Sequence, residues 1–407
     1  MTTGEDIVED LGGVIETGFD HGTPEFVLDR PAGFRALRER CPVVHSSAYG
    51  GFYALTSWDA VHHAATNGTV FSSQPRALIP MYPEPMGMLD LDPPQGPQVR
   101  RRLNPLFDKA AAERTRARTR EVIDQRIDAF VERGHADLIR ELTGPLVATI
   151  TAEGVGLPVE RADDYAEIFH DLLSVPDTED AMNAVLARLG GFLDELRGYI
   201  AERRDRPRED WLSALIELEI DGRRLTDEEV LENAHLLFSS GVDTTSGAMA
   251  WAIVHLHRDH ALRARIREEP GILPTAVDEF LRFYPPFVCS ARTVTRDHEL
   301  AGVRLKQGKR AMLAWAAGNR DPEVFDEPDR FVPDRQPNRH LAFGAGNHKC
   351  LGQYFARVQM EEILAAVSTR LPDYVVDESR IDRYIAHIVN GMKFLPVTFT
   401  PGRLSSA

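Results

Sequence analysis

The sequence predicts a mainly α-helical protein with small β-sheets, an α+β fold in which helices dominate. Residues 106 to 221 are mostly amphipathic, with apolar side chains recurring at helical spacing. A second helical pattern begins after Thr226 and runs to about His257, which is about 45 Å at 1.5 Å per residue. Strand-like stretches are short and fall mainly at residues 52–56 and 287–313. Helices therefore supply most of the expected structure.

Capping and breaking residues predict where these elements begin and end. Thr226 and Glu229 have the spacing of a capping box, which marks the start of the long helix. The segment 287–313 is expected to form a β-meander. Glycine and proline residues predict breaks within the amphipathic region, at Gly144, Gly154, Pro158, Pro176 and Gly190.

Length, charge and cysteine usage limit the class of protein. The 407 residues contain no linker, repeat or change of composition, so we expect one domain spanning residues 1–407. Three cysteines without regular spacing indicate a reducing compartment. The acidic start lacks the features of a secretion signal, and no run of about eighteen apolar residues occurs, which predicts a cytoplasmic protein without a membrane anchor. A net charge of −16 disfavours nucleic acid as a partner.

The segment FGAGNHKCLG, residues 343–352 and here named the cysteine loop, is the strongest sign of chemistry. Cys350 precedes a stretch with helical periodicity, where unpaired backbone N–H groups and the helix dipole favour a negative sulfur. We therefore expect a lowered thiol pKa. Gly344 and Gly346 predict a loop conformation that other residues resist, and Gly352 is expected to let the main chain approach the sulfur.

Several kinds of site use a fixed thiolate, and the spacing of the residues separates them. Zinc requires several ligands, whereas Cys41 and Cys289 are isolated in the sequence. A catalytic nucleophile requires a base, for which His348 is the neighbouring candidate. Haem iron can be held by one axial thiolate. A buried structural cysteine remains an alternative on the residues alone.

The cysteine loop resembles the haem-binding signature F-G-x-G-x-H-x-C-x-G of the cytochrome P-450 monooxygenases. The resemblance implies haem b, iron protoporphyrin IX, with Cys350 as the axial ligand of the iron and with Phe343, Gly344 and His348 as further haem-binding residues. It also implies the cytochrome P-450 fold of the soluble bacterial members, in which a long central helix lies over the haem and a helix-rich domain adjoins a smaller β-rich region.

The middle of the long helix, SSGVDTTSG at residues 239–247, is polar where a buried helix should be apolar. It resembles the family's oxygen-binding motif, Ala/Gly-Gly-x-Asp/Glu-Thr, with Ser240 in the first position. The resemblance implies that Gly241 leaves room for dioxygen beside the haem, that Thr244 hydrogen-bonds the reduced oxygen, and that Asp243 relays protons from solvent. A kinked helix whose hydroxyls bond back to its own carbonyls is the structural alternative.

DPPQGPQVR, residues 92–100, resembles an element of the family whose final arginine binds a haem propionate. That residue is Arg100 here, and Gly96 stands where the family has a histidine. Arg292 and His348 resemble the other propionate contacts. Arginine suits this task because its planar donors match a carboxylate.

Glu279 and Arg282 resemble the family's buried E-x-x-R pair, which contacts a later arginine, here Arg335. The resemblance implies a structural role in holding the cysteine loop. An ordinary surface ion pair is the alternative reading of the spacing alone.

Residues 71–92 are irregular and rich in proline, methionine and aromatic residues, which is typical of a binding loop over an apolar ligand. With the resemblance, this loop and three later segments imply a pocket for a lipophilic small molecule, with a terpenoid or aromatic compound favoured and fatty acids still open. Cys289 is expected to be an inert thiol. The candidate pocket residues are Met81, Tyr82, Met86, Met88, Leu236, Ser240, Phe287, Val288, Ile388 and Val389.

The resemblance implies a monomeric monooxygenase that takes dioxygen and two electrons from NAD(P)H through a ferredoxin reductase and a ferredoxin. Arg101, Arg102 and Lys349 are the expected docking residues for the acidic ferredoxin. A peroxide-driven peroxygenase and a non-enzymatic haem sensor remain alternatives. A solvated basic face is the alternative to a docking patch for six arginines, namely Arg101, Arg102, Arg114, Arg116, Arg118 and Arg120.

Overall fold

The computed structural model describes residues 7–8, 14–81, 84–174, 178–384 and 388–405. Helices predominate and strands are short, which confirms the predicted fold class. The helices are α1 Pro24–Leu28, α2 Arg30–Arg40, α3 Trp58–Thr66, α4 Gln95–Leu103, α5 Lys109–Arg114, α6 Arg116–Asp128, α7 Gly144–Val155, α8 Ala162–Leu173, α9 Glu179–Asp205, α10 Trp211–Ile216, α11 Asp227–Arg258, α12 His260–Glu268, α13 Leu273–Phe283, α14 Trp315–Gly318 and α15 Gln353–Arg370.

The long helix α11 is the centre of the helical part. It packs against α7, α8, α9, α10, α13 and α15. The predicted capping box is present, since the Glu229 amide donates to Thr226 Oγ1 and the Thr226 amide donates to the Glu229 carboxylate. In the second half of α11, every residue from Thr245 to Val254 is buried. A helix buried on all sides needs the apolar residues that this half contains.

The strands are β1 Ile7–Val8, β2 Val14–Ile15, β3 Val43–Ser46, β4 Phe52–Leu55, β5 Phe71–Ser72, β6 His135–Asp137, β7 Glu219–Ile220, β8 Arg223–Arg224, β9 Ser290–Val294, β10 His298–Leu300, β11 Val303–Leu305, β12 Arg310–Leu313, β13 Val375–Val376, β14 Asp382–Arg383, β15 Met392–Phe394 and β16 Pro396–Thr398. The largest sheet has the order β3-β4-β12-β9-β5, in which β12 runs parallel to β4 and the other pairs are antiparallel.

The predicted β-meander over residues 287–313 is wrong in its pairing. Strand β9 pairs with β12, while β10 and β11 pair only with each other among the described strands. The two hairpins are therefore nested. Alternation along the sequence predicts strands but not their partners, because pairing depends on contacts between distant residues.

One of the predicted helix breaks is also wrong, since Gly190 lies inside α9. The break predicted at Gly154 occurs one residue later, because α7 ends at Val155. A Cβ at Gly154 would approach the Trp211 ring to 2.5 Å, so this glycine also serves close packing. Gly144 does begin a helix and Pro158 lies between helices, whereas Pro176 is outside the described residues. Within the described ranges, no helix is both long and apolar enough to span a bilayer.

Candidate active site

The cysteine loop is shaped by two glycines and a main-chain hydrogen bond. The Cys350 amide donates to the Phe343 carbonyl at 2.7 Å. Gly344 and Gly346 have φ of +66° and +68°, in the left-handed region, which is a conformation that other residues resist, as predicted. A Cβ at Gly346 would clash with the Ala65 carbonyl oxygen near the end of α3. The loop is therefore seated against α3 in a conformation that other residues would disturb.

The thiol of Cys350 differs from the prediction in its acidity. Loss of solvent around it raises the pKa of the thiol, although part of the residue stays accessible. The Gly352 amide and the positive charge of Arg100 act in the opposite direction. The predicted lowering of the pKa is wrong for the protein chain alone, because desolvation outweighs the donors at the helix start.

The predicted reason for Gly352 also needs correction. Its amide does contact Cys350, but its φ is −80° and a Cβ there would meet no described protein atom within 4 Å. Any residue with a backbone N–H could make this contact as far as the protein chain is concerned.

A cluster of basic side chains borders the cysteine loop. Arg292 is buried, and burial lowers its pKa to about 10. His348 Nε2 lies 3.0 Å from Ser73 Oγ, and burial together with the charges of Arg292 and Arg100 lowers the pKa of this imidazole to about 3. Arg100 donates to the Lys349 carbonyl. Neither arginine forms an ion pair with another described residue, so both retain donors for an anionic group.

Gly96 has a steric reason that the sequence did not reveal. It is buried in the first turn of α4, where a Cβ would lie 2.7 Å from the Leu91 carbonyl oxygen. A histidine at this position would require the main chain to move. The contact that a histidine makes in the element which this segment resembles therefore has no counterpart at Gly96.

Helix α11 is continuous through the polar motif, and its Ser240 and Thr244 hydroxyls bond back to carbonyls of the same helix, as the structural alternative expects. The Thr244 hydroxyl donates to the Ser240 carbonyl at 2.6 Å, one turn earlier. Ser240 is exposed and Leu236 is half-buried. A Cβ at Gly241 would lie 3.4 Å from Thr151 Oγ1, so its bare side faces α7. The role of Gly241 beside dioxygen stays a prediction.

Asp243 is held by two residues that sequence reasoning missed. Tyr384 donates from Oη to Asp243 Oδ1 at 3.2 Å, and the same hydroxyl lies 2.6 Å from His170 Nδ1. Asp243 Oδ2 is buried and has no hydrogen-bond partner in the described part of the chain. Neither Tyr384 nor His170 belongs to a motif or a regular spacing, so the sequence contained no signal for them.

The residues proposed for the pocket from the loop 71–92 differ in their burial. Met88 is buried and its amide donates to Asn233 Oδ1 at 2.8 Å, which ties the loop to α11. Met86 is half-buried and Met81 is 57% exposed. Tyr82 lies outside the described residues. Contact of these residues with substrate stays a prediction.

The remaining pocket candidates lie where two distant segments meet. Phe287 and Val389 form an isolated β-bridge, and the Val288 amide donates to the Ile388 carbonyl at 2.8 Å. Val288 and Val389 are buried, while Phe287 and Ile388 are half-buried. Burial raises the pKa of the Cys289 thiol to about 12, as expected of an inert thiol.

The basic residues near the cysteine loop fall into two groups. Arg116, Arg118 and Arg120 are paired with carboxylates, including those of Glu362 and Glu153. These carboxylates offset their positive charge, and a role of the three arginines in docking stays a prediction. The remaining members, which are exposed and form no ion pair within the described ranges, are Arg101, Arg102, Arg114 and Lys349.

The buried pair predicted from E-x-x-R is present as a contact. Arg282 Nε lies 2.7 Å from Glu279 Oε2, and Arg335 Nε lies 3.2 Å from Glu279 Oε1. Glu279 also accepts from Asn338 Nδ2 at 3.1 Å. The pair thus contacts the segment that leads into the cysteine loop.

Comparison with known proteins assigns the family. The model of the family described as Cytochrome P450 matches residues 164–370. The steroid C26-monooxygenase of Mycobacterium tuberculosis (strain ATCC 25618 / H37Rv) is 32% identical over 375 residues, which cover 91% of this chain and 94% of that protein. This chain belongs to the cytochrome P450 family. The P450 is also 31% identical to the methyl-branched lipid omega-hydroxylase of the same strain, with 91% of each chain covered.

Solved structures agree with this assignment. The structure of a mutant of P450 EryK in complex with erythromycin B matches this P450 with a TM-score of 0.83 and 28% identity, covering 94% of this chain and 99% of the other. The protein is therefore a haem-binding monooxygenase with the cytochrome P450 fold, which confirms the predicted family, cofactor and enzyme class. P450 enzymes use redox partners, dioxygen and lipophilic substrates.

Proposed function

We propose that Cys350 binds the haem iron of this P450 and that Arg100, Arg292 and His348 contact the haem propionates. The observation that carries the proposal is the position of the two unpaired arginines, which are near enough to His348 to lower the pKa of its imidazole. Arg100 also acts electrostatically on Cys350. One thiol with two guanidinium groups and an imidazole beside it matches a cofactor with one iron and two carboxylates.

The raised pKa of the Cys350 thiol is compatible with this role. A thiol that coordinates a metal releases its proton, because the positive charge of the metal stabilises the thiolate. The burial that raises the thiol pKa therefore does not prevent binding. The Gly352 amide then donates to the sulfur, and the nearby cations balance its negative charge. When bound, the haem supplies the centre at which dioxygen is reduced and one oxygen atom is passed to the substrate.

Thr244 and Asp243 supply the groups that handle protons. The Thr244 hydroxyl points back to the Ser240 carbonyl, and its oxygen keeps lone pairs with which to accept a further hydrogen bond. Asp243 is buried one residue earlier and keeps one carboxylate oxygen without a partner. An acid next to an alcohol can deliver protons in sequence while admitting little bulk water. Glu279, Arg282 and Arg335 hold the main chain that leads to the cysteine loop.

The substrate is a lipophilic aliphatic molecule of the terpenoid or branched lipid class. Two of the relatives are named for a steroid and for a methyl-branched lipid, which supports an aliphatic substrate over an aromatic one. Half-buried apolar side chains at Leu236, Phe287 and Ile388 supply matching surface. A panel of steroids, branched fatty acids and polycyclic aromatic compounds can be compared by the shift in haem spin state that each causes.

Electrons arrive from NAD(P)H through a reductase and a ferredoxin that docks on Arg101, Arg102 and Lys349. These side chains are exposed and unpaired in the described structure, and a ferredoxin of opposite charge would be steered towards them. A cytoplasmic location and a monomeric state remain predictions.

The absorption of the reduced protein under carbon monoxide tests the thiolate assignment. Wild type should show the strongly red-shifted band of thiolate ligation, and Cys350→Ser should lose it. Cys41→Ser is the matched control. Cys41 is a free cysteine that lies between α2 and β3, outside the cysteine loop. Retention of the red-shifted band in Cys350→Ser would exclude this residue as the ligand.

A further inference from the structure

Asp243, Tyr384 and His170 form a chain of three buried polar side chains. They are 4%, 3% and 6% exposed. They come from α11, from the residue after β14 and from α8, and the Tyr384 hydroxyl is within hydrogen-bond distance of both other side chains. His170 Nδ1 also lies 3.7 Å from Asp243 Oδ1, which is an ion-pair distance but too long for a hydrogen bond. His170 Nε2 lies 2.9 Å from the Lys393 carbonyl oxygen. A carbonyl only accepts, so this ring nitrogen carries a proton.

Counting hydrogens along this chain leaves two arrangements. In the first, Tyr384 donates to an ionised Asp243 and receives a proton from His170 Nδ1, so the imidazole is doubly protonated. In the second, a protonated Asp243 donates to Tyr384, and the Tyr384 hydroxyl donates to a neutral His170. Both arrangements contain three exchangeable protons. In the first they are on Tyr384 Oη and on both ring nitrogens of His170, and in the second they are on the Asp243 carboxyl, Tyr384 Oη and His170 Nε2. They differ only in where those protons lie.

We propose that His170 and Tyr384 form a proton relay that reloads Asp243 during turnover. In one step, the Nδ1 proton of His170 moves to Tyr384 Oη while the Tyr384 hydroxyl proton moves to Asp243 Oδ1. The imidazole becomes neutral, the carboxylate becomes a carboxylic acid, and Tyr384 is unchanged. Asp243 then gives up the transferred proton in the role described under the proposed function, and a hydronium ion from solvent protonates His170 Nδ1 and leaves as water. The proposal rests on the role of Asp243 given under the proposed function.

The surroundings suit this transfer. Burial and the neighbouring Asp243 raise the pKa of Tyr384 well above its ordinary value, so the hydroxyl is kept protonated and can pass protons without accumulating charge. The other charges that act on Tyr384 are those of Arg140 and Asp171, and these two side chains pair with each other at 3.3 Å. The three relay groups are buried, and the His170 side chain, which is 8% exposed, is the member through which solvent can supply a proton.

The chain offers a matched control for the key variant. Tyr384→Phe removes the hydroxyl that joins Asp243 to His170 and keeps the ring. Tyr284→Phe removes the same group from a second tyrosine–histidine pair, in which Tyr284 Oη lies 3.0 Å from His255 Nδ1 at the far end of α11. Asp243→Asn removes the acid itself.

The first readout does not depend on turnover. In the reduced carbon monoxide complex of the holoenzyme, nitrogen-15 resonances of His170 should show a hydrogen-bonded Nδ1 in wild type. In Tyr384→Phe this resonance should move towards that of an unprotonated, unbonded imidazole nitrogen, while Tyr284→Phe should leave it in place. A His170 Nδ1 resonance that is the same in wild type and Tyr384→Phe would overturn the relay.

The second readout is the fate of reducing equivalents with any substrate that binds. Product formation should fall on the order of 10-fold in Tyr384→Phe, with more peroxide and a larger solvent deuterium isotope effect. The fall is limited because this variant keeps Asp243, the direct proton donor, whose loss would cost roughly 100-fold or more. Tyr284→Phe should behave as wild type. Wild-type coupling in Tyr384→Phe together with uncoupling in Asp243→Asn would overturn the relay alone. Wild-type coupling in Asp243→Asn would overturn the proposed role of Asp243 and the relay with it.

Discussion

Glu279 and Arg282 form a fully buried ion pair in which two guanidinium nitrogens contact the two carboxylate oxygens at 2.7 and 2.8 Å. Both side chains have 0% exposure. Arg282 also donates to the carbonyls of Asn319 and Pro328, and Glu279 accepts from the Val332 amide at 2.8 Å. The pair therefore satisfies main-chain groups of the segment before the cysteine loop. Removing one partner leaves a buried charge and several unpaired groups.

Arg282→Ala should destabilise the protein by about 3–5 kcal/mol, because breaking a buried ion pair leaves the other charge uncompensated. Arg197→Ala breaks an exposed pair of the same i, i+3 spacing with Asp194, together with an exposed contact to Glu228, and should cost much less because solvent screens both. Denaturant unfolding of the three proteins measures both values. Equal stability losses in the two variants would show that burial does not set the strength of the Glu279 pair.

Gly346→Ala should disrupt the cysteine loop. Its φ of +68° is strained for alanine, and the added Cβ would clash with the Ala65 carbonyl, which is main chain and cannot rotate away. Gly190→Ala is the control, because Gly190 lies within α9 and its Cβ would meet no described atom within 4 Å. That control should gain about 0.5–1 kcal/mol. We expect poor haem retention in Gly346→Ala alone, measured as haem absorbance per protein; full retention would contradict the strain argument.

The capping box of α11 should make stability depend on pH. The hydrogen bond from Arg223 is the main influence that holds the pKa of Glu229 down at about 2, although partial burial opposes it. A carboxyl with a lowered folded-state pKa contributes its full stability above its unfolded value of 4.5, and loses it as pH falls towards 2.

Glu229→Gln should therefore be less stable than wild type by about 0.5–1 kcal/mol at pH 7, with the difference shrinking below pH 4.5. Thr226→Ala, which removes an uncharged capping hydroxyl, should cost about 1 kcal/mol at either pH. Unfolding free energies at pH 7 and pH 4 test this. A Glu229→Gln difference that grows on acidification would have the wrong sign for a lowered pKa.

Replacing Arg101 and Arg102 together by glutamine should weaken electron transfer. Both are exposed and unpaired in the described structure, so the change removes charge from the proposed ferredoxin dock. The KM for ferredoxin should rise about 10-fold at low salt, and the difference from wild type should shrink as ionic strength rises. Arg118→Gln is the control, because Arg118 is neutralised by Glu121 and Glu153. An equal effect of Arg118→Gln would place the dock elsewhere.

Thr244→Ala should uncouple the enzyme. Without the hydroxyl, electrons from NADH are still consumed, but less product and more hydrogen peroxide form, because the ordered supply of protons is lost. Thr244→Ser keeps the hydroxyl and should retain most of the coupling. Comparing NADH consumed with product and peroxide formed measures this. Coupling of Thr244→Ala equal to that of wild type would refute the assigned role.

The parts of this protein that were predictable from sequence rest on short-range interactions. The start of α11 follows from Thr226 and Glu229, three residues apart, and the conformation of the cysteine loop follows from glycines at Gly344 and Gly346. Such features are set within one turn or one loop, where the local sequence contains all the groups involved. The family motifs are of the same kind, and this is why the cofactor and enzyme class were accessible.

The tertiary structure decided those properties that depend on residues far apart in the chain. Tyr384 lies 141 residues from Asp243 and 214 residues from His170, so no spacing rule joins them. Gly154 makes room for Trp211 from another helix, and Arg118 is neutralised by Glu153 of α7. The Cys350 thiol became less acidic than predicted because its solvation depends on every segment folded around it. Burial and distant pairing are sums over the whole fold, which no local pattern contains.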